Sequence, residues 1–243
     1  HRDLHSFPTR RSSDLIGLVL PDVMGTYGDG GNALVLRQRL RMRGQDAEIV
    51  SITLNDPVPE SLDVYVLGGA EDSAQRLATR HLTRYPGLQR AAERGAPVLA
   101  ICAAIQVLGH WYETSSGERV DGVGMLDLTT APRTERAIGE VVTRPATPAL
   151  SQTLTGFENH RGGTTLGSDA APFARVERGV GNGVGDGTEG VVQGSVIGTY
   201  MHGPALARNP ELADHLLETA LGRTLEPLHL PDVEQLRTER LRR

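Results

Sequence analysis

The stretch PVLAICAAIQVLG, residues 97 to 109, decides how the rest of the chain is read. Val98 to Ile101 is a short apolar run behind a proline, the pattern of a buried strand, and Ala103 to Tyr112 reads as a helix. Cys102 falls at the junction. A tight turn there lifts the thiol above the sheet edge and points a helix N-terminus at it. It also leaves the Ala103 N–H free to donate to a developing oxyanion. A lone cysteine met elsewhere is a small buried hydrophobe. At a strand-to-helix turn it is a candidate nucleophile.

Working outward, the chain alternates short apolar runs with amphipathic stretches, the signature of a parallel sheet covered by helices. Strands are predicted at 16–21, 47–53 and 63–67. A helix over 32–43 turns Ala33, Leu34, Leu36 and Leu40 toward the sheet, with Gly44 as its stop. A second helix over 73–94 is interrupted at Pro86 and Gly87. Beyond residue 120, short strand-like runs at 139–143, 156–160, 173–176, 190–193 and 196–200 are separated by Gly, Pro and Thr. They read as a β-rich elaboration of the same sheet. The segment GVGNGVGDGTEG, 179–190, lacks the following helix that a phosphate cradle needs, and is read as a flexible hairpin loop. A helix is expected at 211–221, and the charged tail, 223–243, ends in a helix or frayed end over 234–243. HRDLHSFPTRRSSDL, residues 1–15, carries no periodicity and is read as a non-native or disordered arm, leaving one α/β domain over 16–222.

Composition narrows the function. The 243 residues carry 25 basic and 30 acidic side chains, net −5, and every basic residue is arginine. That balance argues against nucleic acid and anionic membranes as partners. With one cysteine, neither an internal disulfide nor a cysteine-built zinc cluster can form. No apolar run is long enough for a transmembrane segment, so a cytoplasmic protein is expected.

A cysteine nucleophile needs a base. Of the eight histidines, His1 and His5 belong to the arm, and His81, His215 and His229 read as solvated. His110 lies two helical turns beyond the thiol. His202 follows the 196–200 strand and opens into Gly203–Pro204, where α/β proteins keep catalytic side chains. His160, in FENHRGG, and Gln106, one turn beyond Cys102, are candidate supporting residues. A different class of reading is also open. Gly28, Gly30 and Ala33 fit G-x-G-x-x-A after a strand, with Asp56 near the place of a ribose-binding acid, as in a nucleotide-binding oxidoreductase.

Six segments in order carry a resemblance: YGDGGN (27–32), VLGGAED (66–72), AICAAIQVLG (100–109), GVGMLDL (122–128), GFENHRG (156–162) and GTYMHGP (198–204). Together they resemble the class I glutamine amidotransferases of the cobyric-acid-synthase-like branch, and within it the glutaminase subunits that serve peptidoglycan amidation. The resemblance implies a flavodoxin-like α/β fold and a glutaminase in which Cys102 forms a thioester with glutamine and His202 shuttles the proton. It implies oxyanion donors at Ala103 and in the Gly68–Gly69–Ala70 turn, with Gly69 as the expected residue, and Arg136 on the substrate carboxylate. No metal or cofactor is implied in this chain. ATP and Mg would sit on a Mur-ligase-like partner acting on lipid II. The sequence departs from the family in two places. Ala104 stands where the nucleophile motif usually has glycine, and Gly203–Pro204 follows His202 where many relatives carry an acidic residue two positions on. The site therefore reads as a Cys–His dyad, and any carboxylate orienting His202 must come from elsewhere in the chain or from the partner.

Overall fold

In the computed structural model, which describes residues 14–242, the short apolar runs become strands covered on both faces. The first half runs β1 (Asp14–Val19), α1 (Gly31–Met42), β2 (Ala47–Ile52), β3 (Val64–Leu67), α2 (Asp72–Arg84), α3 (Gly87–Glu93), β4 (Val98–Ile101) and α4 (Ala103–Leu108). The second half continues with β5 (Trp111–Glu113), β6 (Arg119–Asp121), β7 (Leu128–Pro145), β8 (Leu154–Leu166), β9 (Ala174–Arg178), β10 (Thr188–Glu189), β11 (Val191–Gln193) and β12 (Val196–Thr199). The chain closes with α5 (Ala205–Arg208), α6 (Pro210–Leu221) and α7 (Pro231–Arg242).

The main sheet has the order β11-β12-β4-β3-β1-β2, parallel except for the β11 edge. β3 and β4 are buried at every residue, as expected of central strands covered on both sides. The carboxyl ends of β1, β3, β4 and β12 therefore open onto one edge. In doubly wound sheets this is where ligands bind. α1 is held against α6 by Arg39, whose guanidinium donates two hydrogen bonds to the Asp214 carboxylate at 2.7 and 2.6 Å.

Several expectations change. The second-half strands do not all extend the first sheet. β11 and β12 join it, but β10-β9-β7-β5-β6, with β8 paired to β7, form a second one. β7 and β8 are also much longer than predicted, because their exposed stretches carry Thr, Arg and Glu and hide the apolar alternation. The helix after Cys102 ends at Leu108. Gly109 is extended, and Trp111 and Tyr112 pair with β6 and β7 instead, so His110 is a loop residue bonded to Asp127. Leu34 is exposed on the outer face of α1, whereas Ala33, Leu36 and Leu40 are buried. His81 is buried, not solvated.

The fold begins two residues earlier than expected, since Asp14 and Leu15 pair with Ala47 and Glu48. The rest of the 1–15 arm lies outside the described residues. The tail forms α7, tied to the body by Arg237, which donates to the carbonyl oxygens of Arg208 and Thr153. Among the described residues no helix is long and apolar enough to cross a membrane.

Candidate active site

Cys102 caps the carboxyl end of β4 in a conformation few residues adopt, with φ 52° and ψ −110°. A non-glycine residue held there costs of order 1–3 kcal/mol, which the surrounding structure must offset. It does so through the Cys102 N–H, which donates to the Thr199 carbonyl at 2.8 Å and extends the β4–β12 pairing by one bond. The strained turn places Cys102 in the lining of a pocket shared with Ala70, Ala103, Gln106, Arg136 and His160. Ala103 is the first residue of α4, so its N–H has no intrahelical acceptor. Ala104 is fully buried in the same turn and is accommodated as a helical residue.

His202 is fixed from both sides. Its backbone forms a two-bond bridge with Phe157 of β8: the His202 N–H donates at 2.9 Å and its carbonyl accepts at 3.2 Å. Its ring packs on Tyr27, with centroids 4.8 Å apart. Nδ1 lies 3.0 Å from the Asp29 carboxylate, buried Nε2 has no hydrogen-bond partner among the described residues, and the ring interacts electrostatically with Cys102. Burial pulls the imidazole pKa down. The hydrogen bonds and charges of Asp29 and Cys102 outweigh it and raise the pKa to about 10. The ring is thus protonated at neutral pH.

The expected dyad is thereby extended by a carboxylate that the sequence reading missed. Asp29 is fully buried. It lies in YGDGGN between β1 and α1, 173 residues from the histidine it contacts. The whole motif is committed to this corner. Tyr27 packs on the base and Asp29 bonds it. Asn32 ties the loop together, donating to the Asp29 carbonyl and accepting the Leu206 N–H. The signal was available as a carboxylate among glycines past a strand end, in a segment already singled out by resemblance.

The same carboxylate corrects the oxyanion assignment. The Gly69 N–H donates to Asp29 Oδ2 at 2.8 Å, so it is turned away from the pocket. A side chain on Gly69 would meet the His202 ring at 3.1 Å and Tyr27 at 3.3 Å, which explains glycine there. Of the Gly68–Gly69–Ala70 turn, Ala70 lines the pocket beside Cys102 and Ala103.

Arg136 reaches the pocket because β7 bulges between Pro132 and Ala137. Its guanidinium donates to Asn159 Oδ1 at 2.7 Å and to the Tyr27 hydroxyl at 3.4 Å. On the other side Tyr27 donates to Glu71 at 2.7 Å. A cation and a carboxylate thus flank the pocket, an arrangement that fits a zwitterionic amino acid. His160 and Gln106 form the inner wall. The His160 ring stacks on Tyr200 at 3.8 Å, and Gln106 donates to the Tyr200 hydroxyl at 3.3 Å. Neither contacts His202 through a hydrogen bond.

The dinucleotide reading does not survive this geometry. The N-terminus of α1, where a pyrophosphate would sit, is covered: a side chain on Gly31 would lie 2.3 Å from Pro204. Asp56 is exposed and closes its own turn through Thr53.

The CobB/CobQ-like glutamine amidotransferase domain matches residues 15–210. The GatD subunit of the lipid II isoglutaminyl synthase (glutamine-hydrolyzing) of Staphylococcus aureus is 36% identical, over 88% of this chain and 87% of its own length. Its namesake from Streptococcus pneumoniae is 33% identical over 90% and 85%. A glutamine amidotransferase structure from Thermotoga maritima superposes with a TM-score of 0.51 at 14% identity, covering 95% of this chain and 94% of that one. That last likeness concerns the fold alone.

Proposed function

The chain belongs to the CobB/CobQ-like glutamine amidotransferase family, and from that premise we propose that it is the glutaminase subunit of a lipid II isoglutaminyl synthase. The observation that carries the chemistry is the buried His202–Asp29 pair interacting with Cys102, which lines a pocket flanked by Arg136 and Glu71.

Cys102 Sγ attacks the side-chain amide carbon of L-glutamine. The negative charge that develops on the amide oxygen is met by the N–H groups of Ala103 and Ala70, fixed before the reaction begins. His202 Nε2 gives its proton to the departing nitrogen, and ammonia leaves behind a γ-glutamyl thioester. Water, deprotonated by the same Nε2, then releases glutamate. Asp29 keeps the Nδ1 proton in place, so that Nε2 always faces the sulfur. Arg136 holds the α-carboxylate.

The released ammonia serves a second subunit, as the relatives' names imply for their own complexes. We assign to that Mur-ligase-like partner the ATP and Mg that activate the D-glutamate α-carboxylate of the lipid II stem peptide. Amidation there yields D-isoglutamine. The complex would work on the cytoplasmic face of the membrane, where such a precursor presents its peptide.

Arg136→Gln tests the substrate reading within this scheme. Loss of a charge-assisted pair with the α-carboxylate should raise KM for glutamine about 10-fold to 100-fold. kcat should change much less, because the contact is made equally in ground and transition states. Steady-state ammonia release by the purified complex measures both. An unchanged KM would remove Arg136 from the substrate site.

A further inference from the structure

The glycine-rich segment 179–190 takes no part in the chemistry above, yet it is closely built. The buried Asn182 side chain accepts the Gly190 N–H at 2.8 Å and donates to Thr188 Oγ1 at 2.9 Å and the Gly190 carbonyl at 3.0 Å. Asp186 accepts the Thr188 N–H and hydroxyl at 3.0 and 2.7 Å. At the other end the buried Glu158 carboxylate takes the N–H groups of Val180 and Gly181 at 2.7 and 2.9 Å. The glycines allow this winding, since Gly181 and Gly190 both sit at positive φ against packed neighbours.

The product of this construction is one buried side chain. Glu189 has no exposure, and its Oε1 accepts two hydrogen bonds of 2.7 Å, from the Thr199 hydroxyl and from the Tyr200 N–H. Thr199 Oγ1 in turn accepts the Met201 N–H at 3.1 Å. These bonds hold residues 199 to 201, just where pairing with β4 ends and immediately before the base. The far side of the base is held by Phe157. Without Glu189 the Thr199 carbonyl bond to Cys102, the Met201 bond to Thr199 and the side-chain anchors of Tyr200 would remain, but the Tyr200 N–H and the Thr199 hydroxyl would lose their acceptor.

We propose that Glu189 is a positioning residue for His202, its single acceptor oxygen fixing the 199–201 turn so that the imidazole meets the Cys102 sulfur. The inference rests on the glutaminase reading and extends it to a residue outside the pocket. What the site requires of residue 189 is an acceptor, not a negative charge. Glu189 Oε2 has no partner. Burial pushes the carboxyl up to about 7 in spite of the two bonds it accepts, with the Glu158 charge adding to the rise. Glutamine would supply the same acceptor in the same volume.

The test compares Glu189→Gln and Glu189→Ala in the purified complex, following ammonia release from glutamine. Glu189→Ala should lower kcat by about tenfold or more with KM within about twofold, since the base and not the substrate pocket is displaced. Glu189→Gln should stay within about threefold of wild type in both. Thr199→Val, which removes both the hydroxyl bond to Glu189 and the relay to Met201 while leaving residue 189 itself unchanged, should lower kcat in the same sense and decides the matter if Glu189→Ala does not fold. The proposal is overturned if alanine and glutamine lose activity equally, if the loss falls on KM, or if Glu189→Ala and Thr199→Val both keep kcat within twofold. Wild type and Cys102→Ala are run alongside. Activity in the first and none in the second leaves the glutaminase reading standing whatever Glu189 does, so the two failures are told apart.

Discussion

Cys102→Ala is expected to release no ammonia from glutamine above background, a fall in kcat of at least about 10⁴-fold. The size follows from the chemistry. Without Sγ no thioester forms, and the hydrogen-bond donors and Arg136 can only bind the amide, not cleave it. The substitution keeps the Cβ, so the strained φ of 52° at residue 102 is still required and the turn is not relaxed. Cys102 is also nearly fully buried among apolar neighbours, where a smaller apolar side chain is tolerated. The variant should therefore fold and still bind glutamine. Thermal denaturation with and without glutamine checks this, the expected result being that ligand raises the midpoint as it does in wild type.

Asp29→Asn should cost about 10²-fold to 10⁴-fold in kcat/KM for glutamine while leaving the fold intact. The amide can still accept the Gly69 N–H through its oxygen, so the buried turn keeps its partner. It cannot carry the charge that favours the imidazolium, and the proton on Nδ1 is no longer specified. The pKa of His202 should fall from about 10 toward its ordinary range.

This has a consequence for stability. The folded-state pKa of His202 is raised above its unfolded value near 6.5, so the pair contributes its full stabilisation below about pH 6.5 and loses it as pH rises through about 10. The difference in denaturation midpoint between wild type and Asp29→Asn should therefore be larger near pH 6 than near pH 8 and shrink further toward pH 10. A histidine titration by NMR in the two proteins measures the same quantity directly. A His202 pKa that does not move on substitution would remove Asp29 from the site.

Much of this arrangement was legible because it is local. The turn at Cys102 follows from four apolar residues meeting a helix-forming run. His202 follows from a strand that ends at Gly203–Pro204. The break between α2 and α3 is written in Pro86–Gly87. What was not legible depends on contacts between distant segments. Asp29 becomes a partner of His202 only because β1 and β12 deliver their carboxyl ends to one edge, and no spacing along the chain encodes that. Gly69 was expected to serve the oxyanion because glycine permits close approach. The structure uses the glycine for a different approach, toward the base and its carboxylate, and it is the neighbouring Ala70 that lines the pocket. Leu34 and His110 went astray for a simpler reason. An apolar residue at helical spacing need not face inward, and Gly109 ends a helix that the periodicity alone would have continued through Tyr112.

The glycine-rich segment is the loop of the β9–β10 hairpin, as its sequence predicts. What its composition hides is that Asn182, Asp186 and Glu158 accept its backbone N–H groups. Gly181 and Gly190 supply the left-handed turns.

The central claim is that glutamine is opened by Cys102 acting with His202 and Asp29. The most direct measurement is covalent labelling with a glutamine analogue that carries a chloroketone in place of the side-chain amide, read by intact mass and peptide mapping. The expected result is one label per chain, on the peptide that contains Cys102, slowed by free L-glutamine and slowed further by Asp29→Asn. Labelling that glutamine does not protect against, or that falls on another residue, would contradict it.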